Sequence, residues 1–155
     1  MVVVFVTGMS GTGKSSALAE LARRGQRVVD TDYGDWIEPG SEPLWREDRI
    51  EALLDERGDG PLFISGCVAN QGAFYERFDA VVLLSAPAHV ILQRVAVRET
   101  NDFGKSEAER ERILRDLETV EPLLRRGATD EIDTQSSLGE VVDALERIGS
   151  ERIDP

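Results

Sequence analysis

The sequence predicts an α/β protein with three layers, in which a five-stranded parallel sheet lies between two layers of helices. Apolar runs of strand length alternate along the chain with stretches whose apolar residues recur at helical spacing. A glycine-rich segment at residues 8–15 joins the first apolar run to the first helical stretch. The alternation is typical of a parallel sheet with helices on its faces, so it indicates the fold class.

Each element is assigned from the spacing of its apolar residues and from signals at its ends. Strands are expected near 2–6, 27–30, 61–65, 79–85 and 129–133, and helices near 14–24, 44–57, 70–77, 88–99, 107–125 and 138–148. Leu18, Leu21 and Ala22 illustrate the helical spacing in the first helix. Ser106, with Glu109 three residues later, is typical of a helix start.

Two stretches of the chain follow neither pattern. Residues 31–43 contain two glycines and two prolines, and residues 100–105 read Thr-Asn-Asp-Phe-Gly-Lys. In a parallel sheet, the loops that follow the strands surround the ligand. We therefore expect two moving parts at the site, a flap at about 31–58 and a lid at about 98–106.

Length, charge and cysteine content restrict the class of protein. No linker or low-complexity tract divides the 155 residues, so we expect one domain over 1–155. The formal charge of −12 creates a field that repels extended nucleic acid and anionic membranes. No apolar run reaches the roughly 20 residues of a membrane span, and the first run is expected to be a buried strand rather than a signal peptide. A single cysteine suits the reducing cytoplasm. We expect a cytoplasmic monomer or weak dimer.

Residues 8–15 read Gly-Met-Ser-Gly-Thr-Gly-Lys-Ser and match the phosphate-binding pattern G-x-x-x-x-G-K-[ST] between a strand and a helix. The glycines allow successive backbone N–H groups to point at phosphate oxygens, and the helix N-terminus adds positive partial charge. In this pattern Lys14 reaches the phosphates and the Ser15 hydroxyl ligates Mg²⁺. The predicted cofactors are therefore ATP and Mg²⁺. The residues expected to bind them are Gly8, Met9, Ser10, Gly11, Thr12, Gly13, Lys14, Ser15 and Ser16.

A pair of carboxylates follows the second predicted strand. Asp30 and Asp32 stand on alternate residues at the carboxyl end of this strand, beside the phosphate loop in the expected topology. One carboxylate of such a pair can hold a magnesium-bound water, and the other can accept a hydrogen bond from an acceptor hydroxyl. The pair therefore indicates phosphoryl transfer to a second molecule.

The series of motifs resembles the small-molecule kinases of the phosphate-loop class, namely shikimate kinase, gluconate kinase and the nucleoside monophosphate kinases. The resemblance covers most of the chain. Its elements are the loop 11–15, Asp30-Thr31-Asp32, Gly40 followed by Trp45-Arg46, the apolar run 81–87 leading to Arg94 and Arg98, and Ile132-Asp133-Thr134. It implies a phosphate-loop NTPase fold with sheet order 2-3-1-4-5 and a lid over ATP.

The same resemblance implies roles for individual residues. It directs Asp30 toward magnesium and Asp32 toward the acceptor hydroxyl. It implies that Arg94 and Arg98 close over the γ-phosphate and stack on the base as catalytic and nucleotide-binding groups, with the division between them open. Lys105 is either a further phosphate ligand or a surface lysine.

Departures from the shikimate kinase pattern concern the acceptor. The triple glycine after the third strand is replaced by Ser65-Gly66-Cys67, and the arginine that precedes a Pro-Leu pair is replaced by Thr119-Val120-Glu121. The resemblance therefore implies an acceptor other than shikimate. Trp36 and Trp45 either form an aromatic wall of the pocket or pack the flap. The predicted acceptor-binding residues are Asp32, Trp36, Trp45, Arg46, Arg49, Ser65, Asn70 and Gln71.

Two functions follow from these residues. The first is transfer of the ATP γ-phosphate to a small molecule, such as a nucleotide, a sugar or polyol, or an antibiotic. The second is a nucleotide-binding switch that hydrolyses ATP slowly and needs a positioned water. The third and fourth strands end at Ser65 and Ser85 rather than at the carboxylate usual in hydrolytic sites. Because the acids follow the second strand instead, phosphotransfer is favoured.

Overall fold

The computed structural model describes residues 1–56, 58–98 and 103–151. The strands are β1 (Val3–Thr7), β2 (Arg27–Asp30), β3 (Ile37–Glu38), β4 (Leu44–Trp45), β5 (Leu62–Ser65), β6 (Ala80–Ser85) and β7 (Asp130–Asp133). The helices are α1 (Lys14–Arg23), α2 (Glu47–Asp55), α3 (Ala88–Val97), α4 (Glu107–Thr119), α5 (Glu121–Gly127) and α6 (Leu138–Glu151), with a 3₁₀ helix at Gln71–Arg77.

The main sheet has five strands in the order β2-β5-β1-β6-β7. Every neighbouring pair in it is parallel. Counted within this sheet alone, the order is 2-3-1-4-5, which confirms the predicted topology. The short strands β3 and β4 form a separate antiparallel hairpin. The predicted fold class is therefore confirmed, and the hairpin is an addition to it.

Helices cover both faces of the sheet. On one face, α1 and α6 pack on alternate strand residues such as Val4, Val6 and Phe63. On the other face, Phe5 and its neighbours pack against α2, the 3₁₀ helix and the hairpin. This second core is aromatic, since the Phe5 ring lies 4.9 Å from Phe78 and 5.3 Å from Trp45. Successive strand side chains point to opposite faces, so the apolar runs of β1 and β5 supply both cores.

Two of the expected helices differ from the structure. The stretch 44–57 was expected to be one helix, but residues 44–45 pair with β3 and α2 begins at Glu47. The hairpin forms here because burial of Trp45 in the aromatic core outweighs the helical spacing of its neighbours. The stretch 107–125 divides into α4 and α5 at Val120, two residues before Pro122, whose missing N–H cannot continue the helical hydrogen bonds.

Residues 99–102 of the lid expected at 98–106 lie outside the described residues. Residue 57 of the expected flap also lies outside them. The expected helix near 88–99 is described as far as Val97. Within the described ranges, no helix combines the length and the apolar character needed to cross a membrane.

Candidate active site

The phosphate loop turns between β1 and α1 at the carboxyl edge of the sheet. Gly13 has a φ of +97°, a left-handed conformation that glycine adopts without steric cost. A Cβ at Gly8 would lie 2.5 Å from the carbonyl oxygen of Leu84, so only glycine allows the loop to approach β6 this closely. These two positions explain why the pattern needs glycine at both ends of the loop.

Lys14 is buried and lies across its own loop. Its Nζ donates to the carbonyl oxygens of Gly8 at 2.6 Å and Met9 at 3.2 Å. Burial lowers the pKa of Lys14, while Cys67, Asp32 and Asp30 act in the opposite direction. The ammonium group is thus held at the mouth of the loop with several acidic groups nearby, where phosphate oxygens would replace the loop carbonyls as its partners.

Three side-chain oxygens gather on the α1 face of the sheet edge. The Ser15 hydroxyl donates to Asp30 Oδ2 at 2.8 Å. Asp30 is paired with Ser65 in the register of β2 and β5, so both side chains point to the same face. The Ser65 hydroxyl is buried and has no hydrogen-bond partner among the described residues.

This oxygen cluster fits a magnesium ion. Mg²⁺ prefers oxygen ligands and keeps several waters, which need further acceptors and donors around them. Ser15 and Asp30 supply two oxygens, and the unpartnered Ser65 hydroxyl supplies a third group at the same edge. The described residues contain no cluster of three or more His, Cys, Asp or Glu side chains that would hold a metal on its own. The cluster therefore suits a metal held jointly with phosphate oxygens.

Asp32 follows Asp30 on the turn beyond β2. Its backbone N–H donates to Asp30 Oδ1 at 3.1 Å, which fixes the turn. Although Asp32 retains solvent-accessible surface, the surrounding protein removes part of its hydration, and this burial raises the pKa of its carboxyl. Lys14 opposes the increase. The structure therefore brings Asp32 into the electrostatic neighbourhood of Lys14.

The two lid arginines have different partners. Arg94 donates to the Thr134 hydroxyl at 2.8 Å and to the Thr134 carbonyl at 2.6 Å. Arg98 donates to the Ser10 hydroxyl at 3.2 Å and to the Phe103 carbonyl at 2.7 Å. Burial lowers the pKa of Arg98, which stays far above neutrality. Arg94 is thus bound to the loop after β7, and Arg98 links the phosphate loop to the lid segment.

A cavity of about 260 Å³ opens beside Arg94. It lies next to the phosphate loop, between the end of α3 and the start of α6. The lining residues are Thr12, Gly13, Ser16, Arg94, Thr134, Ser136, Leu138 and Val141. Of these, the sequence analysis did not include Thr134, Ser136, Leu138 or Val141 among the site residues. Their position after the last strand is the signal that would have found them, since loops at this edge surround the ligand.

The structure corrects the acceptor role expected of Trp45 and leaves that of Trp36 open. Trp45 is only 1% exposed, and its indole N–H donates to the Thr31 hydroxyl at 3.0 Å. Its ring therefore packs the flap and presents no open face to an acceptor. Trp36 is half-buried and packs against the same aromatic core. Trp36 is thus the tryptophan of the flap that retains an accessible surface.

The amides of Asn70 and Gln71 are also occupied. Asn70 accepts from the Trp45 N–H at 2.9 Å and donates to the Trp45 carbonyl at 3.1 Å. Gln71 accepts from the Val68 N–H and donates to the hydroxyls of Thr7 and Tyr75. The expectation that both amides are available to an acceptor is therefore wrong for the structure described, in which the amides hold the hairpin and the end of β1. The Ser65 hydroxyl has no partner among the described residues and points to the same face as Asp30.

Arg46 and Arg49 both contact Asp35, which the sequence analysis did not single out. Arg46 Nε lies 3.1 Å from Asp35 Oδ1, and Arg49 lies 3.0 Å from Asp35 Oδ2. Asp35 stands in the irregular flap, where no periodicity indicates its neighbours. Its contact with Arg46 depends on the β3–β4 hairpin. The sequence analysis assigned the second strand of this hairpin to a helix.

A parallel sheet of this order, with the phosphate loop between its first strand and first helix, defines a phosphate-loop NTPase fold. A family profile described as an AAA domain matches residues 4–115. This match spans more than half of the chain, so the protein belongs to this AAA-domain family.

Curated relatives and solved structures add further likenesses. HPr kinase/phosphorylase from Bacillus mycoides (strain KBAB4) is 38% identical over 88 residues, which cover 52% of this chain and 27% of that protein. The chain thus spans about a quarter of the length of this relative. Shikimate kinase from Acinetobacter baumannii in complex with shikimate has a TM-score of 0.68 at 22% identity, covering 99% and 96% of the two chains. A sugar kinase from Janibacter sp. HTCC2649 has a TM-score of 0.61 at 22% identity with the same coverage. At these identities the structures support the fold.

Proposed function

We propose that the protein is an ATP- and Mg²⁺-dependent phosphotransferase that moves the γ-phosphate to a hydroxyl or phosphate group of a small molecule. One observation carries this proposal. The Ser15 hydroxyl of a complete phosphate loop donates to Asp30 Oδ2 at 2.8 Å, and the turn that Asp30 fixes carries Asp32 at the same edge of the sheet, within electrostatic range of Lys14. An acid in this position suits an acceptor hydroxyl, because it accepts the proton that phosphoryl transfer releases. The kinase relatives support phosphoryl transfer in general.

The nucleotide would lie along the edge of the sheet from the cavity to the flap. Its base would occupy the cavity beside Arg94, whose guanidinium both donates to Thr134 and offers a flat cationic face for stacking. Its phosphates would lie on the loop at residues 8–15. Both arginines contact the loop, since Arg94 also donates to the Gly11 carbonyl at 3.4 Å. We assign Arg94 to the base because it lines the cavity and its shorter contacts are with Thr134, and we assign Arg98 to the γ-phosphate because it reaches the Ser10 hydroxyl.

The metal site would consist of Ser15, Asp30 and Ser65 with the nucleotide phosphates. When bound, Mg²⁺ supplies positive charge that stabilises the transferring phosphoryl group. Ser15 and Asp30 orient the ion and its waters, and the Ser65 hydroxyl gains a hydrogen-bond partner that it lacks in the described structure. Asp32, which lies on the turn after Asp30 and within electrostatic range of Lys14, would orient the acceptor hydroxyl. Lys14 would leave its loop carbonyls for the phosphates.

The alternative is a nucleotide-dependent switch that hydrolyses ATP slowly. The strands beside β1 end at Ser65 and Ser85. The Ser85 hydroxyl donates to Glu131, and so it is already occupied. These serines lack the carboxylate that would orient an attacking water, and this favours the acceptor reaction.

ADP formation in the presence and absence of small molecules distinguishes the two functions. The protein is incubated with MgATP in two samples, one with a protein-free small-molecule extract and one without it. The products of both samples are followed by ³¹P NMR. We expect ADP formation that depends on the extract, together with a new phosphate-ester signal. Asp32→Asn should lose this signal, whereas Asp59→Asn, an exposed charge-matched control before β5, should keep it. ADP formation that is equal with and without the extract would favour the switch.

A further inference from the structure

The β3–β4 hairpin determines which charged side chains meet on the flap. Its antiparallel register pairs Ile37 with Trp45. The residue before Ile37, which is Trp36, therefore lies opposite the residue after Trp45, which is Arg46. The Arg46 N–H donates to the Trp36 carbonyl at 2.7 Å, which extends the ladder by one residue. Asp35 comes next along the chain and so lies beside Arg46 and the first turn of α2. Arg49 is three residues beyond Arg46 and shares its side of that turn.

Asp35 uses one carboxylate oxygen for each arginine. Oδ1 lies 3.1 Å from Arg46 and Oδ2 lies 3.0 Å from Arg49. The donors that face the turn are therefore already paired with an anion. An acceptor carboxylate or phosphate that sought both guanidinium groups would have to displace Asp35 or lie against it, and two anions in contact repel each other.

The neighbouring acid makes this corner less favourable for an anion. Asp32 precedes Asp35 by three residues, so their Cα atoms lie at most about 11 Å apart, whereas the screening length at physiological salt is about 8 Å. An anionic group bound at Arg46 would thus be repelled by Asp35 at contact and only weakly by Asp32. The net charge of −12 adds a repulsive background.

We propose that Asp35 determines acceptor specificity by occupying Arg46 and Arg49, so that the site takes the hydroxyl of an uncharged or amine-bearing molecule and rejects carboxylate and phosphate acceptors. The inference rests on the proposed phosphotransfer. It narrows that function, because it removes nucleotides and sugar acids from the range of acceptors and leaves neutral polyols, sugars and amino alcohols. Asp35 acts here through the arginines and is a specificity residue, not a catalytic one.

Sulfate is a suitable probe because it tests the anion site without knowledge of the acceptor. Sulfate is titrated into ¹⁵N-labelled protein, and the backbone amides of residues 35–49 are followed separately from those of the phosphate loop. We expect the flap amides of Asp35→Asn to saturate at a sulfate concentration at least about fivefold lower than in the wild type, since the lost ion pairs free both guanidinium groups. Asp35→Ser should show the same gain. Arg46→Gln in the Asp35→Asn background should abolish it.

Asp48→Asn is the matched control. It removes an equal charge from an exposed position of α2 between the two arginines, without a contact to either. If Asp48→Asn tightens sulfate binding as much as Asp35→Asn, general charge explains the effect and the proposal is wrong. Equal sulfate affinity in wild type and Asp35→Asn would also overturn it. If the amide signals of the phosphate loop do not shift when MgADP is added, the proposed function is wrong. The sulfate titration of the flap amides would still test the role of Asp35 in that case.

Discussion

We propose that the nucleotide binds on the phosphate-loop side of the site and the acceptor on the flap side, and these nucleotide and acceptor sides are built in different ways. The nucleotide side consists of residues 8–16, Arg94, Arg98 and the loop after β7, and its phosphate loop relies on backbone groups close in sequence. The acceptor side consists of the flap at 31–56 with Asn70 and Gln71, and contacts between distant segments hold it together. A local pattern is sufficient to recognise the first side. The acceptor side depends on which polar groups already have hydrogen-bond partners in the folded protein.

The largest effect should come from Lys14, at the centre of the nucleotide side. We expect Lys14→Met to lower phosphoryl transfer by at least about 10³-fold, because methionine lacks the positive charge that Lys14 would place on the phosphates. The fold should persist, since a methionine fills similar volume and the lost hydrogen bonds are to loop carbonyls. Turnover and the amide NMR spectrum measure both outcomes. Wild-type turnover in this variant would remove the nucleotide assignment.

Substitutions of the two acids, Asp30 and Asp32, should have different effects. Asp32→Asn should reduce kcat by roughly 10²–10⁴-fold with ATP affinity changed only a few-fold, because it removes the group that accepts the acceptor proton. Asp30→Asn should instead raise the magnesium requirement, and added Mg²⁺ should partly restore the rate. Steady-state kinetics over a magnesium series measure this difference. Rescue of Asp32→Asn by magnesium would show that the two roles are reversed.

The pH dependence tests the environment of Asp32. Its carboxyl must be ionised to accept a proton, and burial raises its pKa, so kcat/KM should fall on acidification at a higher pH than an ordinary aspartate would cause. Activity is therefore present above the raised pKa and is lost as the pH decreases through it. Asp32→Asn should abolish this acid limb. A limb that persists unchanged in the variant belongs to another group.

The smallest expected effect concerns the support of the acceptor side. Asn70→Ala removes two hydrogen bonds to the backbone of Trp45 and leaves those groups unpaired, which should destabilise the protein by about 1–3 kcal/mol. ADP affinity should stay unchanged because the nucleotide side does not use this contact. Urea unfolding and ADP titration measure the two quantities. Gln93→Ala, an exposed position of α3, serves as the control, and an equal loss of stability there would contradict the proposed support.

The prediction from sequence succeeded where the relevant contacts are local. The phosphate-loop pattern and the cap of α4 were predicted from neighbouring residues, and the capping box at Ser106 and Glu109 is present in the structure. The sheet order was predicted from the family resemblance, and it is confirmed. The acceptor role expected of Asn70 and Gln71 failed because both amides already have partners, among them Trp45 and Thr7, which lie 25 and 64 residues away. Helical spacing around residues 44–57 was real, but it gave no indication that Trp45 pairs with Ile37.

The sequence by itself determined the phosphate loop, because a run of glycines with Lys14 and Ser15 produces its geometry within a single turn of the chain. It also determined the order of strands and helices, since apolar periodicity acts over neighbouring residues. Only the tertiary structure decided which polar groups of the flap and sheet edge are occupied. Asp35 meets Arg46 through a hairpin, and Ser65 lies beside Asp30 through strand register. Such pairings form only when segments that are distant in sequence pack together. The sequence around one residue does not show which side chains this packing brings next to it.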